Sequence, residues 1–236
     1  MKNNFTTIIF DYGGTLDTDG VHWSEKFWES YQKFNIKVEK KEFRNAFVYS
    51  ERKIVNIIKP DFKLKSTYET QLKYQMEYLE NEGLYSKSNI ELVEDMTNFC
   101  LTAVLNNINF TKKVLSSIIK EFNLGLISNY YGNLETVLNE TDLRKYFKSF
   151  IDSAVTGIRK PDKSIFELSL KELNTKPNHT IVVGDSYGND IIPAKELGCT
   201  TVWLEGKGWN IPIDTSSADI KIKSIKEIPF IVKNLL

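Results

Sequence analysis

Residues 6–17 read TTIIFDYGGTLD, a short β-branched and aromatic run followed by an aspartate and a pair of glycines. The run is brief and does not alternate apolar with polar residues, which is typical of a strand buried on both faces of a parallel sheet. Asp11 would then follow the carboxyl end of that strand. Ligands bind at this edge of open parallel sheets, so we predict that Asp11 lies in a functional site.

The composition is that of a globular protein. The 236 residues carry 31 Lys and Arg against 31 Asp and Glu, and 41% of them are hydrophobic. A chain of this size can bury a substantial core. Its balanced charge gives no general attraction to nucleic acid or to an anionic membrane, and no basic cluster with interleaved aromatics is present. We therefore predict no nucleic-acid partner.

The chain also lacks the patterns of a membrane or secreted protein. No apolar run approaches the roughly 20 residues that cross a bilayer, and the first residues do not resemble a signal peptide. Cys100 and Cys199 are too few for a disulfide framework. We expect a cytoplasmic protein with no membrane partner, and the sequence leaves its oligomeric state open.

The pattern of apolar residues changes after the first strand. From about residue 21 to 107, apolar residues recur at helical spacing in four sets, which predicts a small bundle of four amphipathic helices. These sets are Phe27, Tyr31 and Phe34; Phe43, Phe47, Ile54 and Ile58; Leu72, Met76 and Leu79; and Leu92, Met96, Phe99 and Ala103.

After residue 110 the pattern alternates between helices and strands. A helix with Thr111 as its N-cap is predicted first. The strands are predicted at 124–128, 150–151, 180–183 and 201–204, with helices at about 133–138, 165–173 and 191–197 between them, and residues 218–222 with the last turn complete the pattern. Such alternation predicts βαβ units around a parallel sheet. The fold class is therefore α/β, a doubly wound, Rossmann-like parallel sheet core (1–17 and 109–236) with an inserted all-α helical cap (18–108).

Four polar groups follow predicted strands of this core. They are Asp11, Ser128, Lys160 and Asp185. Carboxylates that share a site repel each other unless a cation compensates them. Mg²⁺ accepts one or two carboxylates, keeps several waters and adds a substrate phosphate. The set therefore indicates phosphoryl transfer.

The same segments resemble the four motifs of the haloacid dehalogenase-like (HAD) hydrolase superfamily. They are FDYGGTLDTDG (10–20), LISN (126–129), GIRKPDKSIF (157–166) and VVGDSYGND (182–190). Their order and spacing cover nearly the whole chain. The helical insertion between the first two motifs resembles the C1 cap of that family, a lid over the site.

The resemblance implies a role for each matching residue. Asp11 would be the nucleophile that forms an aspartyl intermediate, Ser128 would bind the transferring group, and Lys160 would pair with Asp11 and the phosphoryl oxygens. Asp185 and the Gly13 carbonyl would bind Mg²⁺ together with Asp11. Asp190 would support the metal or orient Lys160. The implied activity is Mg²⁺-dependent hydrolysis of a small phosphorylated metabolite.

The first motif departs from the family's phosphatases, which read D-x-D-G-T. Here Gly13 replaces the second aspartate, which acts as general acid and base in that family. A glycine cannot protonate a leaving group, so we expect altered or weakened chemistry. The nearest spare groups are His22, Asp17 and Asp19. We interpret the two carboxylates as boundaries of the hinge into the cap, and His22 as a cap residue.

Three alternatives stay open at this point. Haloacid dehalogenases also lack the second aspartate, but need no Mg²⁺. Phosphonoacetaldehyde hydrolases carry a small residue at the position of Gly13 and use a cap lysine as a Schiff base, for which Lys53 is the candidate. The third is a weak or inactive protein that binds a phospho-ligand for regulation, since a fold does not fix a function.

Overall fold

A computed structural model of the protein describes residues 5–86, 90–209 and 212–235. The ends of the predicted core segments, residues 1–4 and 236, lie outside the described residues, as do 87–89 of the predicted cap and 210–211 of the core. The described strands are β1 (Thr7–Phe10), β2 (Asn123–Ser128), β3 (Ser149–Asp152), β4 (Thr180–Gly184), β5 (Thr200–Leu204) and β6 (Ile220–Ile222). The described α-helices are α1 (Trp23–Lys33), α2 (Lys40–Ile54), α3 (Leu64–Asn81), α4 (Ile90–Ile118), α5 (Leu134–Glu140), α6 (Ser153–Thr156), α7 (Ser164–Glu172), α8 (Ile192–Glu196) and α9 (Ile228–Leu235).

The strands form one parallel sheet in the order β3-β2-β1-β4-β5-β6. The predicted α/β fold class is confirmed. Strand β1 is central, with Phe10 paired to Leu126 of β2 on one side and to Val183 of β4 on the other. The sheet grows in opposite directions from β1 and from β4, so their carboxyl ends flank the topological switch point where such sheets bind ligands.

Both faces of β1 are covered, as the short apolar run predicts. Ile8 and Phe10 pack into one apolar cluster, and Ile9 packs into a second cluster on the opposite face. Successive residues of a strand point to opposite faces, so a strand without polar alternation fits only between two covered faces.

Three helices and the first part of a fourth lie between β1 and β2 in the chain and pack as an all-α unit. The fourth, α4, is continuous over 29 residues, or roughly 44 Å. Its buried side chains include Met96 and Cys100 near one end and Leu115 and Ile118 near the other. It therefore crosses position 108/109 without a break and belongs to both the insertion and the core.

The predicted N-cap at Thr111 is wrong. Thr111 lies inside α4, and its hydroxyl donates a 2.6 Å hydrogen bond to the carbonyl of Leu16. Residues 90–118 contain no glycine or proline, so nothing in the local sequence breaks the helix. The fourth predicted cap helix and the helix predicted after residue 110 are one element, which is tied through Thr111 to the turn that follows Asp11.

Candidate active site

The carboxyl ends of β1, β2 and β4 bring the predicted polar residues together. Asp11 directly follows β1, Ser128 is the last residue of β2, and Asp185 directly follows β4. Lys160 reaches the same place from the loop between α6 and α7. Asp11, Ser128 and Lys160 are all buried.

Lys160 is held between two carboxylates. Its Nζ donates 2.6 Å hydrogen bonds to Asp11 Oδ1 and to Asp190 Oδ1, and a third of 3.2 Å to the carbonyl of Ile127. Burial alone would lower the pKa of Lys160, but the charges of Asp11 and Asp190 outweigh it and raise that pKa. The amine is therefore a fixed cation beside Asp11.

Asn129 holds the backbone of Lys160. Its side-chain oxygen accepts from the Lys160 amide at 2.9 Å, and its side-chain nitrogen donates to the Lys160 carbonyl at 3.0 Å. This paired contact docks the loop of the third motif onto the end of β2, so the position of the ammonium group does not depend on a flexible side chain alone.

Asp185 and Asp190 complete an acidic cluster with Asp11. Oxygens of the three carboxylates lie within 4.8 Å of one another. Burial, and then the charges of Asp11 and Asp190, raise the pKa of Asp185 well above its ordinary value. Burial also raises the pKa of Asp190 to about 6, although Lys160 opposes that rise. One lysine against three carboxylates leaves an excess of negative charge.

Asp190 also depends on a close backbone approach. Its Oδ2 accepts a 3.0 Å hydrogen bond from the amide of Ser186. A Cβ on Gly184 would lie 2.4 Å from the same Oδ2, which no real Cβ tolerates. Gly184 therefore leaves room for the carboxylate of Asp190.

Thr15 links the first and fourth motifs. Its hydroxyl lies 3.2 Å from both Asp11 Oδ2 and Asp185 Oδ1, and it accepts a 3.0 Å hydrogen bond from the amide of Asp185. A hydroxyl has one proton, so it donates to one carboxylate at a time. No local pattern marks Thr15 for this role, because its partner lies 170 residues away.

Gly13 and Gly14 differ in conformation. Gly13 has φ −77° and ψ 118°, whereas Gly14 has φ 93°. A Cβ on Gly13 would meet only the indole of Trp23, at 3.5 Å. A Cβ on Gly14 would lie 2.4 Å from Asp185 Oδ2. Gly14 is therefore required by the turn, but Gly13 occupies a conformation that any residue can adopt.

The two spare carboxylates of the first motif serve different contacts. Asp17 is buried and accepts from the amide of Gly14 at 2.8 Å and from the indole of Trp23 at 2.6 Å. Asp19 accepts from the Ser224 hydroxyl at 2.7 Å and from the Ile225 amide at 2.8 Å. Asp17 thus joins the turn to helix α1, and Asp19 joins the start of the insertion to the end of the core.

A cavity of about 190 Å³ opens above these groups, between the core and the helical insertion. Its floor includes Asp11, Gly13, Ser128, Lys160, Asp185 and Asp190. The insertion contributes its roof, which consists of His22, Trp23, Phe47, Glu51, Tyr68 and Gln71. The insertion therefore covers the site as a lid would.

Lys53 does not belong to that roof. Its side chain is exposed, and its ammonium lies 5.4 Å from the ring centre of Tyr49. Lys53 lies two positions after Glu51, which turns it by roughly 200° around α2. A Schiff base on Lys53 would therefore form outside the cavity.

His22 is the N-cap of α1, and it also lines the cavity. Its Nδ1 accepts a 3.2 Å hydrogen bond from the Ser24 amide and lies 2.8 Å from the Ser24 hydroxyl. Burial lowers the pKa of His22, although the charge of Asp11 opposes this. The interpretation of His22 as a residue of the cap agrees with this position.

Sequence reasoning missed the polar groups of the roof. Glu51 and Gln71 contact Tyr131, which follows β2, and no local pattern marks them as different from other polar residues of the bundle. The one sequence feature that could have pointed to Glu51 is its spacing, because it lies one helical turn after the buried Phe47 on α2.

Two further observations bear on the setting of the site. In the described part of the chain, no helix has the length and apolar character needed to span a membrane. Cys100 and Cys199 are both buried free thiols.

Curated relatives match part of the chain. A glyceraldehyde 3-phosphate phosphatase from Methanocaldococcus jannaschii is 40% identical over 94 residues, which are 39% of this chain and 41% of that protein. The pyrimidine 5′-nucleotidase YjjG from Escherichia coli is 33% identical over 93 residues, again 39% of this chain and 41% of the relative. The matched region spans about two fifths of the length of each of these relatives.

Solved structures match the whole fold. The HAD-hydrolase YfnB from Bacillus subtilis has a TM-score of 0.61 at 18% identity, over 97% of this chain and 98% of that one. The HAD phosphatase from Thermococcus onnurineus has a TM-score of 0.56 at 20% identity, over 97% and 98%. At these identities the likeness concerns the fold alone.

The match to a protein-family model shows the family as well as the fold. The model described as a hydrolase, haloacid dehalogenase-like hydrolase, matches residues 5–198, which include all four motifs and the insertion between the first two. The chain belongs to the haloacid dehalogenase-like hydrolases.

Proposed function

We propose that the protein is a Mg²⁺-dependent phosphatase that hydrolyses the monoester of a small phosphorylated metabolite through an aspartyl-phosphate on Asp11. One observation carries the proposal: Lys160 bridges Asp11 and Asp190 at 2.6 Å each, at the floor of a cavity that also contains Asp185. This arrangement places a buried carboxylate nucleophile beside a fixed cation. The names of the two curated relatives support a phosphate monoester as the substrate class.

The residues would act in two steps. An oxygen of Asp11 attacks the phosphorus, and the bond from phosphorus to the leaving oxygen breaks as the leaving group takes up a proton. Water then attacks the same phosphorus and gives up a proton to solvent, the bond from phosphorus to the Asp11 oxygen breaks, and inorganic phosphate leaves with the Asp11 carboxylate restored. Lys160 would stabilise the charge that develops on the phosphoryl oxygens, and Ser128 would hydrogen-bond one of them.

The donor set fits a divalent cation. Asp11, Asp185 and Asp190 carry three carboxylates against one lysine, which leaves about two negative charges to be balanced. Asp11 and Asp185, with the Gly13 carbonyl, would hold Mg²⁺, and Asp190 would orient Lys160. When bound, Mg²⁺ would neutralise the phosphate and position it for in-line attack.

Because Gly13 cannot protonate a leaving group, esters with poor leaving groups would react slowly. In the alternative of a regulatory protein that binds a phospho-ligand, no ester would be turned over. A dehalogenase would act on haloacids without Mg²⁺. The exposed position of Lys53 gives no support to a Schiff-base mechanism.

Turnover of p-nitrophenyl phosphate tests the proposal, because this leaving group needs little help from an acid. We expect Mg²⁺-dependent turnover in the wild type and its loss in Asp11→Asn, which keeps the shape of the side chain and removes its charge. Asp61→Asn, an exposed aspartate in the loop between α2 and α3, is the matched control and should retain activity. Turnover that survives in Asp11→Asn would exclude the covalent mechanism.

A further inference from the structure

Glu51 is the one carboxylate on the cavity roof that the phosphoryl chemistry does not use, among the residues that the structure describes. It lies on α2, one turn beyond Phe47, and its side chain is half-buried. Burial raises the pKa of Glu51, and the hydrogen bond from Tyr131 and the charge of Arg159 oppose that rise. A carboxylate in this position faces whatever organic group is attached to the phosphate.

The Glu51 carboxylate is fixed by two neighbours. Its Oε1 accepts a 2.7 Å hydrogen bond from the Tyr131 hydroxyl and another from Gln71 Nε2. Gln71 Nε2 also lies 2.9 Å from the Tyr131 hydroxyl oxygen. The three groups form a closed triangle that joins α2 and α3 of the insertion to the core loop after β2.

The triangle leaves one oxygen of Glu51 available. Within residues 5–86, 90–209 and 212–235, Oε2 of Glu51 has no hydrogen-bond partner and no ion pair. A carboxylate oxygen can accept further hydrogen bonds, and Glu51 lines the cavity.

Arg159 opposes the negative charge of Glu51 without forming an ion pair with it. The roof is mainly aromatic, with Phe47 and Tyr68 beside Glu51. Arg159 also lines the cavity, but its side chain is exposed and forms no ion pair with Glu51 among the described residues. A ligand in the cavity therefore meets aromatic rings and the Glu51 carboxylate, with Arg159 as an exposed cation on the same lining.

We propose that Glu51 is a specificity-determining residue. It accepts a hydrogen bond from a hydroxyl or N–H group on the organic part of the substrate, and it disfavours substrates with a second anionic group there. The inference rests on the proposed phosphatase activity and names its substrate class: phosphate monoesters whose leaving group is uncharged and carries a hydrogen-bond donor. Specificity of this kind combines an attractive contact with a repulsive one.

Two aryl phosphates of matched shape test the inference. They are 4-(hydroxymethyl)phenyl phosphate, which presents a hydroxyl, and 4-carboxyphenyl phosphate, which presents an anion at the same place. Neither needs much help from an acid, so Gly13 does not limit the comparison. We expect the wild type to favour the hydroxymethyl compound by at least about tenfold in kcat/KM, and Glu51→Gln to reduce that ratio by about tenfold, because like charges a few Å apart repel by this order in a partly buried site.

Glu77→Gln is the matched control. Glu77 lies on α3 with similar exposure and also accepts a hydrogen bond from a tyrosine, the hydroxyl of Tyr49 at 2.9 Å, but it does not line the cavity. This variant should keep the wild-type ratio. Circular dichroism during thermal unfolding checks that both variants fold.

The outcomes separate the two proposals. The inference is overturned if the wild type favours the carboxyphenyl compound, or if the ratio of the two kcat/KM values is the same in Glu51→Gln. In either case, turnover of unsubstituted phenyl phosphate by the wild type would still support the phosphatase activity. A wild type that turns over no aryl phosphate with Mg²⁺ present overturns the proposed function and this inference with it.

Discussion

The indole Nε1 of Trp23 donates a 2.6 Å hydrogen bond to Asp17 Oδ2, and the same ring lies 3.5 Å from where a Cβ on Gly13 would stand. The contact joins the first residue of α1 to the turn that follows Asp11. The position without the family's acid is therefore bordered by an indole that a buried carboxylate holds in place.

Gly13→Asp should restore general acid catalysis. The backbone of Gly13 is extended, at φ −77° and ψ 118°, and an added Cβ meets Trp23 only at ordinary contact distance. General acid–base help is worth about 10²–10⁴-fold. We expect kcat for an alkyl phosphate such as 2-hydroxyethyl phosphate to rise much more than kcat for p-nitrophenyl phosphate, because only the alkoxide needs a proton. Steady-state kinetics on both esters measures the change.

Gly13→Ala is the control for that experiment. It fills the same space without a carboxyl group and should leave the alkyl-to-aryl ratio unchanged. If Gly13→Asp folds and also leaves the ratio unchanged, the missing carboxylate does not limit the reaction.

Mg²⁺ should stabilise the wild type through Asp185. A cation that binds only the folded state contributes about 2.7 kcal/mol at a hundredfold excess over Kd, which for a chain of this size raises Tm by roughly 5–10 °C. Asp185→Ala removes one of the proposed ligands and should abolish the response, whereas the exposed Asp61→Asn should keep it. Thermal unfolding with and without Mg²⁺ measures both, and a response that persists in Asp185→Ala would place the cation elsewhere.

Gly14→Ala should destabilise the protein more than Gly132→Ala does. Both glycines have φ near 95°, so each alanine carries the penalty of the left-handed region, roughly 1–2 kcal/mol. Only at Gly14 does the new Cβ also collide with the Asp185 carboxylate, at 2.4 Å; at Gly132 its nearest neighbour is Ala154, at 3.9 Å. We expect a further loss of about 1–3 kcal/mol in Gly14→Ala, measured by urea unfolding. Equal losses would show that the site relaxes freely around residue 14.

Asp17 should make stability fall as pH rises. Burial raises the pKa of Asp17 to about 7 in the folded protein, although its hydrogen bonds to Gly14, Trp23 and Thr18 oppose this; its ordinary value is 3.8. Between these values the folded state holds a proton that the unfolded state has lost. The contribution of Asp17 is therefore fully present below about pH 4 and is lost as pH rises through about 7, by about 4 kcal/mol at most.

Asp17→Asn isolates this contribution. The free energy of unfolding of the wild type, minus that of Asp17→Asn, should decrease between pH 4 and pH 7 in urea titrations with divalent cations removed. The corresponding difference for Asp142→Asn should instead increase slightly with pH, because the hydrogen bond from Lys145 lowers the pKa of the exposed Asp142. A difference for Asp17→Asn that does not vary with pH would contradict a raised pKa.

The sequence by itself determined the α/β class and the edge of the sheet where the site lies. An apolar run too short and too uniform for an exposed strand has to be buried on both faces, and the residues that follow such strands meet at one edge. Asp11, Ser128, Lys160 and Asp185 could be placed there because their positions depend on local pattern and chain order. The helical insertion was also visible, since its apolar period is local.

Only the tertiary structure decided which groups touch. Thr15 contacts Asp185 across 170 residues, and Glu51 faces the cavity while Lys53, two residues away, faces solvent. The phase of a helix relative to its neighbours depends on packing, and periodicity within one segment does not set it. The extent of helix α4 also depends on packing. Residues 90–118 are locally helical throughout, but how far the helix continues from the insertion into the core depends on the contacts at both of its ends.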